Sequence, residues 1–142
     1  MLRRNGFTMV ELMIVIVIVA ILASVGIPML RSRVERAKYT EAMAGCSAIA
    51  TALKAEIAEK GQDSTFDATS LSVSDLGFTT YDLQGKYFGL TDYSLSVSTY
   101  VPSTGELAYT ITAAEPSGTG HPTLGDLVLN QDGDFTLDGK TF

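Results

Sequence analysis

The chain has 142 residues, enough for one modest core, and its 46% hydrophobic against 18% charged composition excludes a disordered polyelectrolyte. The apolar excess and the charge are unevenly placed: residues 1–60 carry eight Lys or Arg against five Asp or Glu, residues 61–142 two against eleven. So acidic a second part repels phosphate, which excludes nucleic acid as its partner, and one cysteine with one histidine excludes an internal disulfide and a histidine-rich metal site.

In chain order, the first element is a short basic leader, Met1 to Gly6, carrying Arg3 and Arg4. Phe7 then opens an apolar run in which Leu12 to Leu30 are uncharged without interruption. As a helix those residues reach roughly 28 Å, close to the ~30 Å of a bilayer's hydrocarbon layer. Alternating Ile and Val favour a strand in water, but a lone strand in lipid leaves its backbone unpaired, so a helix is predicted. A secretory signal peptide is disfavoured, because Ile21 and Ala23 fall where two small residues should precede the cut. Glu11 interrupts the start of the run, and a carboxylate in hydrocarbon implies either a partner or a place at the headgroup level.

The segment Arg3-Arg4-Asn5-Gly6-Phe7-Thr8-Met9-Val10-Glu11-Leu12, with the long apolar helix and Pro28 behind it, resembles the class III signal of type IV pilins and of the pseudopilins of type II secretion. That resemblance implies a pilin fold and several residue roles. A prepilin peptidase would cut after Gly6 and N-methylate Phe7, and Glu11 would dock against the Phe7 amine of a neighbouring subunit. The chain would wait in the inner membrane as a single-pass precursor, then enter a helical homo-oligomer through an inner-membrane assembly platform. The product would be an extracellular pilus of the kind used in adhesion and motility, or a periplasmic pseudopilus. Charge counting alone, with Arg31, Arg33, Arg36 and Lys38 after the span, would reverse the orientation. The resemblance keeps the leader in the cytoplasm.

Four regions are expected: a leader at 1–6, a membrane and filament-core helix at 7–30, an amphipathic helix at 31–60 and an acidic head at 61–142. Gly26 and Pro28 predict a kink or local unwinding, since Pro28 removes a backbone donor. Beyond them Tyr39, Met43, Cys46, Ala50, Leu53 and Ile57 form a heptad stripe that buries one face, and Gly61 is placed to end the helix ahead of a polar loop over 62–65. Residues 71–88 are ambiguous: they suggest short turns, with an edge strand as the open alternative. From Tyr93 the period changes to two: strands are predicted at 93–101, 107–114, 124–130 and 134–137, with a turn at 102–106, a loop at 115–122 and a hairpin at Asp132-Gly133. The fold class is therefore α+β, a long N-terminal helix packed on a small C-terminal antiparallel sheet.

Little here points to catalysis. His121 lies in a breaker-rich loop without a partner motif, and Cys46 falls on the apolar stripe, where it serves as a small hydrophobe. Asn130, Asp132, Asp134 and Asp138 supply oxygen ligands that suit Ca²⁺, but Gly133 breaks the EF-hand order and a solvated hairpin is the expectation. No enzyme and no cofactor is expected. The competing class is a membrane-anchored periplasmic binding domain, which would need neither Gly6-Phe7 nor Glu11.

Overall fold

The computed structural model describes residues 6–61, 63, 66–118, 120 and 122–141. The leader's Arg3 and Arg4, three of the four residues of the expected polar loop (Gln62, Ser64 and Thr65) and His121 lie outside them. Helix α1 (Met9–Lys60) is followed by 3₁₀ turns at Ala68–Ser70, Val73–Leu76 and Leu90–Asp92, and then by strands β1 (Tyr93–Val101), β2 (Glu106–Ala113), β3 (Leu127–Asn130), β4 (Phe135–Leu137) and β5 (Lys140–Thr141). The chain divides into two compact units, residues 1–34 and 35–142.

In the first unit α1 holds a stretch long and apolar enough to cross a membrane, with none of it buried. The helix runs unbroken through Gly26 and Pro28. Pro28 leaves the Ser24 carbonyl without its usual intrahelical donor. Ser24 and Ser32 turn their hydroxyls back onto the carbonyls of Ile21 and Met29, at 2.7 and 3.0 Å, so neither presents a free donor to an apolar surrounding.

The second unit has its own core. The five strands pair antiparallel in chain order, a meander, with a bulge between Val97 and Thr99 where β1 and β2 shift register. Alternation puts Tyr93, Val97, Tyr109, Ile111, Leu127 and Leu129 on the inner face, where they meet Tyr39, Ala42, Cys46, Ile49 and Leu53 of α1. The buried helical face is thus shifted from the predicted stripe: Met43 and Ile57 are only partly buried, and Ala42 and Ile49 replace them at the centre. Gly45 is also buried, because the Tyr93 ring lies against the helix backbone in the space a Cβ would need. α1 stops at Lys60; Gly61 donates to the Ile57 carbonyl at 2.8 Å and accepts from the Tyr100 hydroxyl at 2.9 Å.

Residues 71–88 hold no edge strand. From Asp67 onward the chain folds into tight turns, each fastened by a side chain two or three residues away. Asp67 accepts from Thr69, Asp75 from Ser72 and Asp82 from Thr79, in every case from both the backbone N–H and the hydroxyl. With its backbone committed to such local bonds, the segment has no row of groups left for a ladder. The sheet instead gains β5 at the other end, where Lys140 and Thr141 pair with Leu137 and Thr136.

Candidate functional site

The start of α1 is built by four residues. Thr8 precedes the first helical residue, and its hydroxyl accepts from the Glu11 N–H at 3.2 Å. Glu11 Oε2 in turn accepts from the Thr8 N–H at 2.9 Å and from its hydroxyl at 2.8 Å. This is a reciprocal capping box, Thr-x-x-Glu, which satisfies donors that a helix end otherwise leaves unpaired. Thr8 was not singled out from the sequence, although a Thr three residues before a Glu at the head of an apolar run is a legible signal. Glu11 therefore has a local task besides any intermolecular one. Its Oε1 has no hydrogen bond among the described residues and faces outward with the carboxylate's remaining charge.

Phe7 is 83% exposed and Gly6 has no heavy atom within reach of an added Cβ, so the Gly6–Phe7 bond is open to an approaching protein. Behind it, residues 7–30 expose seventeen large apolar side chains, whose full burial is worth on the order of 20–30 kcal/mol. A surface of that size does not stay in water.

The other expected site residues, the candidate metal ligands and Cys46, lie in the second unit. Asn130 spends its Oδ1 on the β3–β4 turn, accepting from the N–H groups of Asp132 and Asp134 at 3.0 and 2.9 Å, while Gly133 takes the left-handed conformation the turn requires. Asp138 sits in the next turn, between β4 and β5, with a positive φ of its own. Among the described residues no three of His, Cys, Asp or Glu are placed to share a metal ion. Cys46 is buried, and burial pushes its thiol up to about 12, so it stays protonated at neutral pH.

Two long-range polar contacts hold the head together and escaped the sequence reading. Glu41 on α1 receives three backbone donors from one turn, Lys86, Tyr87 and Phe88, at 3.0, 2.9 and 2.7 Å. The Tyr39 hydroxyl accepts from Leu124 at 3.1 Å and donates to the Gly125 carbonyl at 2.6 Å, and burial raises that phenol above its ordinary value. Neither is a local pattern, because the partners are 45 to 47 and 85 to 86 residues apart.

Comparison with known proteins bears on the amino-terminal segment. Residues 1–27 match the family described as the prokaryotic N-terminal methylation motif. A fimbrial protein of Pseudomonas aeruginosa is 39% identical over 80 residues, covering 56% of this chain and 51% of that protein. The type IV major pilin protein PilA of Myxococcus xanthus is 42% identical over 64 residues, 45% of this chain and 29% of its own. The type II secretion system core protein G of Pseudomonas aeruginosa is 45% identical over 51 residues, 36% of each chain. The chain thus spans about half the length, or less, of these relatives. No solved structure matches it. With its methylation motif, its exposed apolar helix and its helix-on-meander head, the chain is type IV pilin-like.

Proposed function

We propose that this chain is a structural subunit, processed between Gly6 and Phe7 by a prepilin peptidase, N-methylated on Phe7, and polymerised through residues 7–30 into a pilus filament. The observation that carries the reading is an unburied apolar helix joined to a unit that already has a complete core: residues 35–142 fold around their own side chains and leave the apolar segment for another partner. Before assembly that partner is the inner membrane, where the helix is held as a single span. Afterwards it is the same segment of other copies, joined through an inner-membrane assembly platform.

Removal of the leader makes Phe7 a positive amine one turn from Glu11. In a filament core both charges leave water, and an unpaired buried charge is expensive enough to be excluded. Glu11 can keep its Oε2 on Thr8 and offer Oε1 to the Phe7 amine of a neighbour, which satisfies both charges and sets the axial register of two subunits. Gly26 and Pro28 are where the helix would yield during assembly, since the hydrogen-bond ladder is already one donor short there.

A second reading, a pseudopilin whose filament stays in the periplasm, is favoured by the 45% identity to the type II secretion core protein over 51 residues. Electron microscopy of sheared cells, with mass spectrometry of the filaments, tests both. Filaments outside the cell made of chains that begin at methylated Phe7 are the expected result. Filaments seen only after periplasmic release support the second reading, and a mature terminus near Ser24 would refute both.

A further inference from the structure

Beside the core, the head carries a groove of about 260 Å³ between one flank of α1 and the turn before β1. Ala44, Gly45 and Ala48 form its helical wall, Leu83 and Gly85 the opposite one, and Tyr93 lines it between them. Tyr93 is only 6% exposed, yet its hydroxyl, lying over Gly45, has no hydrogen-bond partner among the described residues. Its oxygen is still reached from the groove, since among the described residues the fully buried side-chain oxygen without a partner is Glu35 Oε2, so the phenol is open to a hydrogen-bonding group that enters there. Two carboxylates, Glu41 and Asp82, rim the groove. Among the described residues both accept hydrogen bonds only from uncharged donors and neither joins an ion pair.

A groove with small apolar walls, an unpaired hydroxyl and an anionic rim suits a long side chain with an aliphatic stem and a cationic, hydrogen-bonding head. The chain carries such side chains without a partner of their own. Arg31 and Arg33 are exposed on α1 and make no ion pair or hydrogen bond among the described residues, whereas Lys38 and Lys60 are paired with Glu35 and Glu56, and Lys54 and Lys86 stand over tyrosine rings. We infer that the Arg31–Arg33 segment of a second copy docks in this groove, one guanidinium donating to the Tyr93 hydroxyl while Glu41 and Asp82 neutralise its charge. This rests on the filament reading and names a contact between heads that the apolar helix does not supply. Residues two apart on a helix point about 200° from each other, so a single neighbour inserts one arginine and not both.

Two measurements on the full chain, in a strain lacking the wild-type subunit, test it. Tyr93→Phe deletes only the hydroxyl; the unfolding midpoint of the detergent-solubilised chain should stay unchanged, while the yield of shear-resistant filaments falls several-fold. In a Cys46→Ala background, Asp82→Cys combined with Arg31→Cys or Arg33→Cys should give disulfide-linked ladders from oxidised filaments for one of the two pairs, with no ladder from Asp82→Cys alone. Wild-type filament yield from Tyr93→Phe overturns the inference, as does the absence of ladders from both pairs in filaments that form. A loss of filaments caused by Lys140→Glu but not by Arg31→Glu or Arg33→Glu also overturns it. If the unaltered chain makes no filament, the filament reading itself has failed.

Discussion

Glu41→Ala would remove the acceptor for three backbone N–H groups at once. The Lys86 N–H is exposed and can turn to water, but Phe88 is 1% exposed and Tyr87 is half-buried, so two donors would lose their partner in a partly or fully dry place. A buried donor left unpaired costs about 1–3 kcal/mol, which sets the expected loss at roughly 3 kcal/mol. For a unit of about a hundred residues that is a fall in Tm of roughly 12–20 °C. Glu41→Gln is the informative companion. Tyr87 and Phe88 both bond to Oε1 and only Lys86 to Oε2, so an amide with its oxygen at the Oε1 position keeps the two inner bonds. It gives up their charge assistance, at about 1 kcal/mol. Urea unfolding of residues 31–142, followed by the near-ultraviolet signal of the tyrosines, should show the midpoint falling in the order wild type, Gln, Ala with an unchanged slope. An alanine variant within about 0.5 kcal/mol of wild type would refute the assignment of Glu41 as the anchor of this turn.

Thr8→Ala removes the partner of Glu11 in the capping box and leaves the carboxylate, so it should polymerise almost as well as wild type, while Glu11→Val sharply reduces incorporation and Glu11→Gln lies between; equal losses in Thr8→Ala and Glu11→Val would make capping the only role of Glu11. The fragment beginning at Arg31 should be soluble and mostly monomeric on gel filtration, because the removed segment carries the apolar excess and the remainder is acidic; detergent dependence would place the polymerising surface in the head. Asp67 and Asp75 are held below the usual carboxylate range by the hydroxyls and then the N–H groups of Thr69 and Ser72, and Asp82 by the N–H and then the hydroxyl of Thr79. Groups depressed in the folded state contribute stability above their unfolded value near 4 and lose it as pH falls through the folded one, so the head's Tm should be flat from about pH 8 to 5 and decline below about pH 4. A decline already complete at pH 6 would assign acid sensitivity to other groups.

How much of this was legible in the sequence depended on the range of the interaction. The strands from Tyr93 to Leu137 were readable because hydroxyl and apolar residues alternate there, and a period of two has one structural meaning at that length. β5 was not, since two residues carry no period. The helical stripe lies partly off the true core face because a heptad count passes over Ala42 and Gly45, and small residues are what lets the Tyr93 ring approach the helix. Of the two readings open for 71–88, turns hold and the edge strand does not, for a local reason: Ser72 and Thr79 each bond a nearby aspartate and turn the backbone away from extension. At the amino terminus the resemblance points to Gly6, Phe7 and Glu11, whereas the bond of Thr8 to Glu11 follows from spacing alone.

The loop between β2 and β3 shows how one chain with a single cysteine can hold a long connection without a covalent bridge. The Glu115 N–H donates to Asp126 at 2.8 Å and the Gly125 N–H donates to Glu115 at 2.8 Å, so the two ends of the loop clasp each other through their own side chains. Tyr39 then fastens the same end to α1 through Leu124 and Gly125, and Pro116 and Pro122 are buried beneath. Charge-assisted bonds of this kind resist thermal opening but, unlike a disulfide, do not restrict the unfolded chain. The stability of the head must therefore come from native contacts, and the clasp is reversible. The closure of this loop rests on hydrogen bonds that a reductant leaves untouched, whereas a disulfide-closed loop depends on the redox state around it.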